Sequence, residues 1–426
     1  MAGKAPAAER RFFKVLGPGL ITGASDDDPS GIATYSQVGA QFGFAMSWTM
    51  LFTFPLMAAI QEISARIGRC TGHGIAANIR RHYSPWLLHG LVALVLVANT
   101  INLGADLGAI ADALRLLIGG PRLVYVVSFG ALCAGLEIFL KYGRYATYLR
   151  WSTLALFAYA ATACIVDVQW REVIRATFVP SLAWNADYIL GVVAVFGTTI
   201  SPYLFFWQSS QEAEDGRVDP RSKPLVMAPL KAPAEMRRIR IDTCVGMFMS
   251  NAIGWFILVT VAATLHAHGI TDIASSAQAA EALRPIGGPF TFALFAIGII
   301  GTGMLAVPVL AGSAAYALGE ALNWRLGLAR HPAEAKAFYG TIAAATAVGI
   351  GLNFAPIDPV RALFWAAVVN GVVAVPVMVV TMLMARQPRV MGRFSVPLSL
   401  AIVGWLATAA MAAAVAAMAV TSFAGG

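Results

Sequence analysis

Three consecutive carboxylates, Asp26, Asp27 and Asp28, stand directly before Pro29 in a stretch that is otherwise apolar from about residue 16 to 56. A charged side chain inside a bilayer costs at least about 2.5 kcal/mol on insertion scales, so acids at this depth indicate a functional site. Proline interrupts a helix because it has no backbone N–H. Carboxylates and free backbone carbonyl groups are ligands of hard cations. These residues therefore predict a cation-binding site at a break in a membrane-spanning helix.

A second interruption of the same kind, Ser201-Pro202-Tyr203, lies in the apolar stretch from about residue 188 to 206. Each interruption falls near the middle of a span, and the two occupy corresponding places in two halves of the chain. Paired broken spans are typical of transporters whose substrate site lies at the membrane midplane.

The composition requires many membrane spans to position these breaks. The 426 residues are 58% hydrophobic and only 12% charged, whereas soluble domains carry about 25% charged residues. Runs of about 20 apolar residues can cross the hydrocarbon core, and eleven are predicted, with no separate soluble domain. They lie at residues 17–42, 44–65, 87–114, 121–140, 145–167, 186–212, 241–266, 289–322, 337–352, 360–385 and 395–422.

The basic residues predict the orientation, because Lys and Arg concentrate in cytoplasmic segments. When the segments between the eleven spans are assigned alternately to the two sides of the membrane, nearly all Lys and Arg residues fall on the side of the N-terminus. The exceptions are Arg115, Arg122, Arg171, Arg175, Arg284 and Arg361. We therefore expect a multi-pass protein of a bacterial-type inner (plasma) membrane, with its N-terminal tail (residues 1–16) in the cytoplasm and its C-terminus outside. The net charge of +8 then reflects contact with the lipid bilayer rather than a nucleic-acid partner.

The spans divide into two sets of five, residues 17–167 and 186–385, with a polar cytoplasmic linker predicted at 211–240. Five is odd, so the second set enters the membrane from the opposite side, which is an inverted repeat. The last span, within residues 394–422, is an addition to this plan.

Several short motifs resemble the NRAMP family of divalent-metal transporters, and most closely a divergent magnesium and manganese branch. They are Gly17-Pro18-Gly19, Asp28-Pro29-Ser30-Gly31, Ala40-Gln41-Phe42-Gly43, Ala65-Arg66-Ile67-Gly68 with Thr71-Gly72, and Gly197-Thr198-Thr199-Ile200-Ser201-Pro202-Tyr203 with Ser209-Ser210. The resemblance implies an all-α protein with the LeuT-type fold, about eleven transmembrane helices, broken helices 1 and 6, and alternating access to a divalent cation.

The departures from the family motifs concern the metal ligands. The family's Asp-Pro-Gly-Asn has Gly31 in place of the ligating Asn, and its Met-Pro-His has Ser201 and Tyr203 in place of Met and His. A second family histidine corresponds to Gln208. Loss of a soft thioether favours oxygen-binding metals, and Mg²⁺ keeps several waters and needs few carboxylates. We therefore expect a harder, roomier site.

The expected metal-site residues are Asp28, Ser201, Thr198, Gly31, Asp27 and Asp26. Asp28 is the direct or water-bridged anchor, and backbone carbonyl groups near Thr198 add oxygens. For Asp26 and Asp27 two alternatives stand. Either they raise the local negative potential, or they reach an outer aqueous vestibule and contribute weakly.

Proton coupling is expected to be weakened, because all six histidines fall at span ends or in loops. Asp106 aligns with an acid in the family's proton path and either relays protons or lines a wet cavity. Tyr203, Gln208 and Asn370 are further pathway candidates. For Tyr203 the alternative is aromatic packing, and for Asn370 it is a hydrogen bond between helices.

The leading functional hypothesis is a facilitator of hard divalent cations, Mg²⁺ foremost with Mn²⁺ tolerated, without obligatory protons. The alternatives are a proton-coupled Mn²⁺ importer of ordinary NRAMP type and, less favoured, a LeuT-type carrier of an organic solute, whose carboxylate the three acids would repel. No Gly-x-Gly-Asp or His-Glu-x-x-His protease motif is present, so we expect neither an enzyme nor a cofactor. The sequence indicates no oligomeric state.

Overall fold

The computed structural model describes residues 18–140, 154, 156–218, 223–273 and 275–424. The tail predicted at 1–16, Gly17 and the first part of the span predicted at 145–167 lie outside these residues. Within them the chain is helical, with no strand.

Eighteen α-helices make up the described chain. They are α1 Pro18–Asp26, α2 Pro29–Phe42, α3 Ser47–Thr71, α4 Ile75–His82, α5 Pro85–Ile118, α6 Arg122–Phe139, α7 Phe157–Ile165, α8 Trp170–Phe178, α9 Ala186–Thr199, α10 Pro202–Val218, α11 Ala232–Thr264, α12 Ser276–Glu281, α13 Arg284–Gly287, α14 Thr291–Ala321, α15 Lys336–Leu352, α16 Pro359–Arg386, α17 Pro388–Met391 and α18 Leu398–Ala424. Short 3₁₀ turns cover Gly43–Met46, Pro229–Lys231, His266–His268 and Gly288–Phe290.

The predicted spans correspond to these helices. Each of the eleven contains a helix in the described residues. By length and composition, eight described segments could cross a membrane, and α15 is a shorter apolar helix. Both predicted breaks are present: α1 ends at Asp26 and α2 begins at Pro29, while α9 ends at Thr199 and α10 begins at Pro202.

The polar linker is shorter than the range predicted from composition. Helix α10 continues to Val218 and α11 already begins at Ala232, so most of residues 211–240 is helical. The helices extend because their charged residues find partners there: Arg238 of α11 lies 2.5 Å from the Glu212 carboxylate of α10.

Glycines let the broken helix 1 lie close against α11. A side chain at Gly23 would meet the backbone of Gly246, and one at Gly39 would meet that of Leu258. The Asp242 carboxylate of α11 accepts hydrogen bonds from the amides of Gly19 (2.8 Å) and Leu20 (3.1 Å). These amides have no partner within α1 because they belong to its first turn, so Asp242 fixes this end of the helix.

The second broken helix is held in the same way. Gly197 of α9 packs on the backbone of α16 at Ala367 and Gly371, and Gly68 of α3 packs on the backbone of α10 at Ser209. Helix α5 packs along α14 beside them. Both breaks therefore lie inside the bundle. We call the end of the bundle that carries Arg66, Arg69, Arg80, Arg81, Arg217 and Arg238 the basic end.

Candidate functional site

Asp28 is the best-connected side chain at the first break. It is the N-cap residue of α2, and its Oδ1 accepts hydrogen bonds from the Gly31 amide (2.8 Å) and the Ser30 hydroxyl (2.6 Å). Its Oδ2 accepts from Asn102 Nδ2 (3.1 Å) and from the Tyr203 hydroxyl (3.3 Å). The carboxylate is buried. Four donors therefore hold it in place between the two broken helices and α5.

Asp26 and Asp27 are also buried, at 0% and 2% exposure. The hydroxyl of Ser250 on α11 lies 2.6 Å from Asp26 Oδ2 and 3.0 Å from Asp27 Oδ1. Asp26 Oδ1 has no hydrogen-bond partner in the described chain. The structure thus places neither acid in an open vestibule; both face α11 inside the bundle.

The two breaks meet at Gly31. A side chain there would lie 3.3 Å from the Asp26 carbonyl oxygen and 3.3 Å from Thr198 Oγ1. The Ser201 hydroxyl donates to the carbonyl groups of Gly197 (2.8 Å) and Thr198 (2.9 Å), which α9 leaves unpaired at its end. Gly31, Thr198 and Ser201 therefore surround one small region lined by oxygen atoms.

Tyr203 joins the two breaks directly. Its hydroxyl lies 3.0 Å from the Ser25 carbonyl oxygen as well as 3.3 Å from the Asp28 carboxylate, and the side chain is buried. It occupies the position of the family's first histidine, yet a phenol donates to Asp28 as a neutral group.

The sequence interpretation missed Asn102. Helix α5 carries Asn99, Asn102 and Asp106 on one face, at i, i+3 and i+7, and all three are fully or almost fully buried. No side chain among the described residues forms a hydrogen bond with the Asp106 carboxyl group, whereas the backbone of Ser30 and the carboxylate of Asp28 act on it. This polar row on an apolar helix is the signal that would have found Asn102.

Two pathway candidates make no hydrogen bond to this group within the described residues. Gln208 Nε2 donates to Thr243 Oγ1 (2.9 Å) and its Oε1 accepts from Gln61 Nε2 (2.6 Å), so it ties α10 to α11 and α3. Asn370 is fully buried on α16, and neither polar atom of its amide has a partner in the described chain. The helix-to-helix hydrogen bond considered for Asn370 is therefore not formed.

Several carboxyl groups are concentrated at the first break. The charged groups that act on Asp26, Asp27 and Asp106 are other carboxylates, with Asp28 common to all three. Burying several acids together is costly unless a cation compensates them. The arrangement is suited to hold a cation.

No histidine of the chain contributes to this region. His266 and His268 bind backbone carbonyl groups of Ala40 and Thr264 at the far end of α11. His73 lies in the turn between α3 and α4, where burial, and then Arg81 and two further arginines, lower its pKa to about 4. It is therefore neutral in the physiological pH range.

A cavity leads toward the site from the end opposite the basic end. It has a volume of about 250 Å³ and lies between α2, α9 and α16, with Gln37, Gln41, Asp187, Asp272 and Arg361 among its lining residues. Ile273 and Val360 line both this cavity and a smaller one, of about 20 Å³, that reaches Pro29. The smaller cavity has room for about one water molecule.

Two buried carboxylates connect the helices at the basic end. Glu320 of α14 accepts hydrogen bonds from the amides of Gly74 (3.1 Å) and Ala77 (3.0 Å) and from the Ser210 hydroxyl (2.9 Å). Glu214 of α10 accepts from the Tyr316 hydroxyl and from the amide of Ala329 (2.6 Å). The half-helix α10 is thereby fastened to α14 and its neighbours.

Comparisons with known proteins agree with this geometry. The family model described as "Natural resistance-associated macrophage protein-like" (Nramp) matches residues 19–421. A divalent metal cation transporter MntH of Deinococcus radiodurans is 27% identical over 321 residues, covering 72% of this chain and 69% of that protein. An MntH of Caldanaerobacter subterraneus is 26% identical over 381 residues, covering 84% and 82%.

Solved structures share the fold. The Eremococcus coleocola manganese transporter superposes with a TM-score of 0.72 at 16% identity, covering 98% of this chain and 89% of that one. Mhp1, a nucleobase-cation-symport-1 family transporter, superposes with a TM-score of 0.54 at 15% identity, covering 96% and 93%. The family match over nearly the whole chain, with two broken helices meeting at buried carboxylates, establishes that this multi-pass membrane protein is a member of the Nramp family with the LeuT-type fold.

Proposed function

We propose that this chain carries hard divalent cations, Mg²⁺ foremost with Mn²⁺ tolerated, down their gradient by alternating access and without obligatory proton movement. It acts in a bacterial-type plasma membrane, with the N-terminus in the cytoplasm. No enzymatic step and no resident cofactor are part of this proposal. Membership of the Nramp family and the names of the bacterial relatives support a divalent metal as the substrate.

The ligand chemistry at the breaks carries the choice of ion. Asp28 is surrounded by oxygen and nitrogen atoms, and the position of the family's thioether holds Ser201. Carboxylate, hydroxyl and carbonyl oxygens suit magnesium and manganese, whereas a thioether selects softer metals. Gly31 supplies no ligating side chain where the family has one, so water molecules would complete the shell of the ion, which suits Mg²⁺.

The histidine positions support transport without obligatory protons. Tyr203 and Gln208 replace the two family histidines and make hydrogen bonds as neutral groups. The chain's own histidines lie away from the break, and His73 is neutral at physiological pH.

The cavities support alternating access. On the side opposite the basic end, two cavities that share Ile273 and Val360 as lining residues lie between Arg361 and Pro29. At the basic end, Glu214 and Glu320 bind neighbouring backbone amides. We propose that release of the ion toward the basic end requires Glu214 and Glu320 to give up these hydrogen bonds as α10 moves.

A proton-coupled Mn²⁺ importer is the second candidate. The manganese transporter of Eremococcus coleocola shares the fold, and Asp106 offers a buried carboxyl group on which Asp28 acts electrostatically. An organic-solute carrier has only the likeness to Mhp1 in its favour, and that likeness concerns the fold alone.

The experiment is ion flux in proteoliposomes that contain a magnesium-sensitive dye, with a parallel set that contains a pH dye. Wild type is expected to admit Mg²⁺ without interior acidification, and Asp28→Ala to abolish entry. Glu281→Ala is the control, because it removes a surface carboxylate that pairs with Arg284. Mn²⁺ entry with acidification and no Mg²⁺ flux would establish the proton-coupled alternative.

A further inference from the structure

We propose that the side-chain amide oxygen of Asn102 is a ligand of the transported cation, adjacent to Asp28. This inference rests on the proposed transport of a divalent cation through the site at the breaks. It adds a third structural element, helix α5, to the two broken helices that supply the other ligands.

The hydrogen bonding of Asn102 is incomplete in a way that points to a ligand. Its side chain is fully buried. Nδ2 donates to Asp28 Oδ2 at 3.1 Å, whereas Oδ1 of the same amide has no partner in the described chain. Buried polar atoms are almost always paired. The amide that holds the anchoring carboxylate therefore has an acceptor left over for a further donor or a cation.

A half-turn of the amide would bring that oxygen to the site. Rotation about the Cβ–Cγ bond exchanges Oδ1 and Nδ2, which are similar in size and shape. Oδ1 would then stand where Nδ2 now stands, 3.1 Å from Asp28 Oδ2. Neighbouring ligands in an octahedral Mg²⁺ shell of about 2.1 Å radius are about 3.0 Å apart. The two oxygens are thus spaced to bind one ion together.

The same amide can therefore serve both states of the site. Without a cation, the NH₂ group faces Asp28 and stabilises its negative charge by a hydrogen bond. With a cation, the oxygen faces the ion beside the carboxylate. An amide oxygen is a hard ligand. From α5, Asn102 would supply the amide oxygen that is absent from α2, where Gly31 stands in place of the family's asparagine.

Asn99 does not have this geometry. It lies one turn earlier on α5, and its Nδ2 donates to the Leu310 carbonyl oxygen of α14 at 3.2 Å rather than to Asp28. Its Oδ1 is also unpaired. Asn99 is therefore a matched control: a buried asparagine on the same face of the same helix, without the contact to the carboxylate.

Binding of Mn²⁺ to the purified protein at pH 8 tests the proposal, measured through the electron paramagnetic resonance signal of free Mn²⁺. Asn102→Ala is expected to weaken binding about tenfold or more, equivalent to about 1.4 kcal/mol. Asn99→Ala is expected to bind as wild type does. Melting temperature without metal shows whether each variant is folded.

Asn102→Asp separates a ligand from a mere donor to Asp28. Aspartate keeps an oxygen and loses the NH₂ group, so a ligand role predicts Mn²⁺ binding at least as tight as in wild type. A loss as large as that of Asn102→Ala would mean that the site needs the NH₂ group as a donor to Asp28 and not the amide oxygen as a ligand. That result, or normal binding by Asn102→Ala, would overturn the proposal.

The assay also distinguishes failure of this inference from failure of the proposed function. If Asp28→Ala abolishes Mn²⁺ binding while Asn102→Ala does not change it, the site stands and only the role of Asn102 is wrong. If Asp28→Ala binds normally, the site itself is misplaced. The result of this assay does not depend on proton coupling, because binding is measured without ion flux.

Discussion

Single residues set the chemistry of this site. Where the family motif has a methionine, Ser201 uses its hydroxyl to pair the carbonyl groups that end α9. The serine is thus both an oxygen ligand candidate and a cap for the broken helix. This dual use explains how the chain loses a soft ligand without leaving two carbonyl groups unpaired in a low-dielectric interior.

Restoring the thioether tests the choice of ion. Ser201→Met is expected to raise the preference for Cd²⁺ and Mn²⁺ over Mg²⁺ about tenfold, because sulfur binds the softer metals more strongly. Competition of Cd²⁺ with Mg²⁺ for uptake into proteoliposomes measures the change. Ser201→Ala removes the hydroxyl without adding sulfur, and it should not shift the preference toward Cd²⁺. An unchanged order of ions in Ser201→Met would argue against Ser201 facing the site.

Helices are positioned by close backbone contacts rather than by large side chains. Broken helix 1 lies on α11 through Gly23 and Gly246, and α9 lies on α16 through Gly197 and Gly371. Small residues at helix interfaces allow this approach in membranes, where apolar burial gives no net driving force between helices. These contacts therefore fix the positions of the two breaks and of the carboxylates beside them.

Gly23→Ala is expected to destabilise the protein by about 1–3 kcal/mol, since the added methyl group must displace the Gly246 backbone. The matched control is Gly90→Ala on α5, where a side chain would meet nothing within 4 Å. In that helix alanine is favoured over glycine by about 0.5–1 kcal/mol, so the control should not lower stability. Thermal unfolding in detergent measures both variants. Equal stability of the two would show that the α1–α11 contact is looser than described.

The whole molecule has two different ends. Glu214 and Glu320 connect the helices at the basic end, and the opposite end opens into the cavity beside Arg361. The distribution of Lys and Arg predicts that the basic end faces the cytoplasm. On that orientation the ion would enter from outside.

Cysteine labelling tests the orientation. The four native cysteines, Cys70, Cys133, Cys164 and Cys244, are first replaced, and single cysteines are introduced by Arg361→Cys or Arg80→Cys. A membrane-impermeant thiol reagent added to intact cells is expected to label the first variant and not the second. After permeabilisation both should react, because each site lies at an end of the bundle. The reverse pattern in intact cells would place the N-terminus outside.

The sequence predicts the membrane spans of this protein, the positions of its two helix breaks and several of its site residues. Hydrophobic run length predicts a spanning helix, and prolines beside polar residues in the middle of such runs, Pro29 and Pro202, predict where two of them break. The structure confirms both breaks and finds a helix in each of the eleven predicted spans within the described residues. The resemblance to the family motifs also predicts Asp28, Ser201, Thr198 and Gly31 as site residues, and the structure brings these four residues together.

Only the tertiary structure decided which distant side chains join them. Asn102 lies 74 residues after Asp28 and Ser250 lies more than 200 after it, and both belong to helices whose rotation is fixed by packing. A row of polar residues, such as Asn99, Asn102 and Asp106 on α5, indicates which face of an apolar helix meets protein rather than lipid. It does not indicate which distant residue lies opposite that face. Gln208 is a further example, because its side chain pairs with Gln61 and Thr243 rather than with the group around Asp28. The sequence alone does not give the direction of such a side chain, which depends on the neighbouring helices.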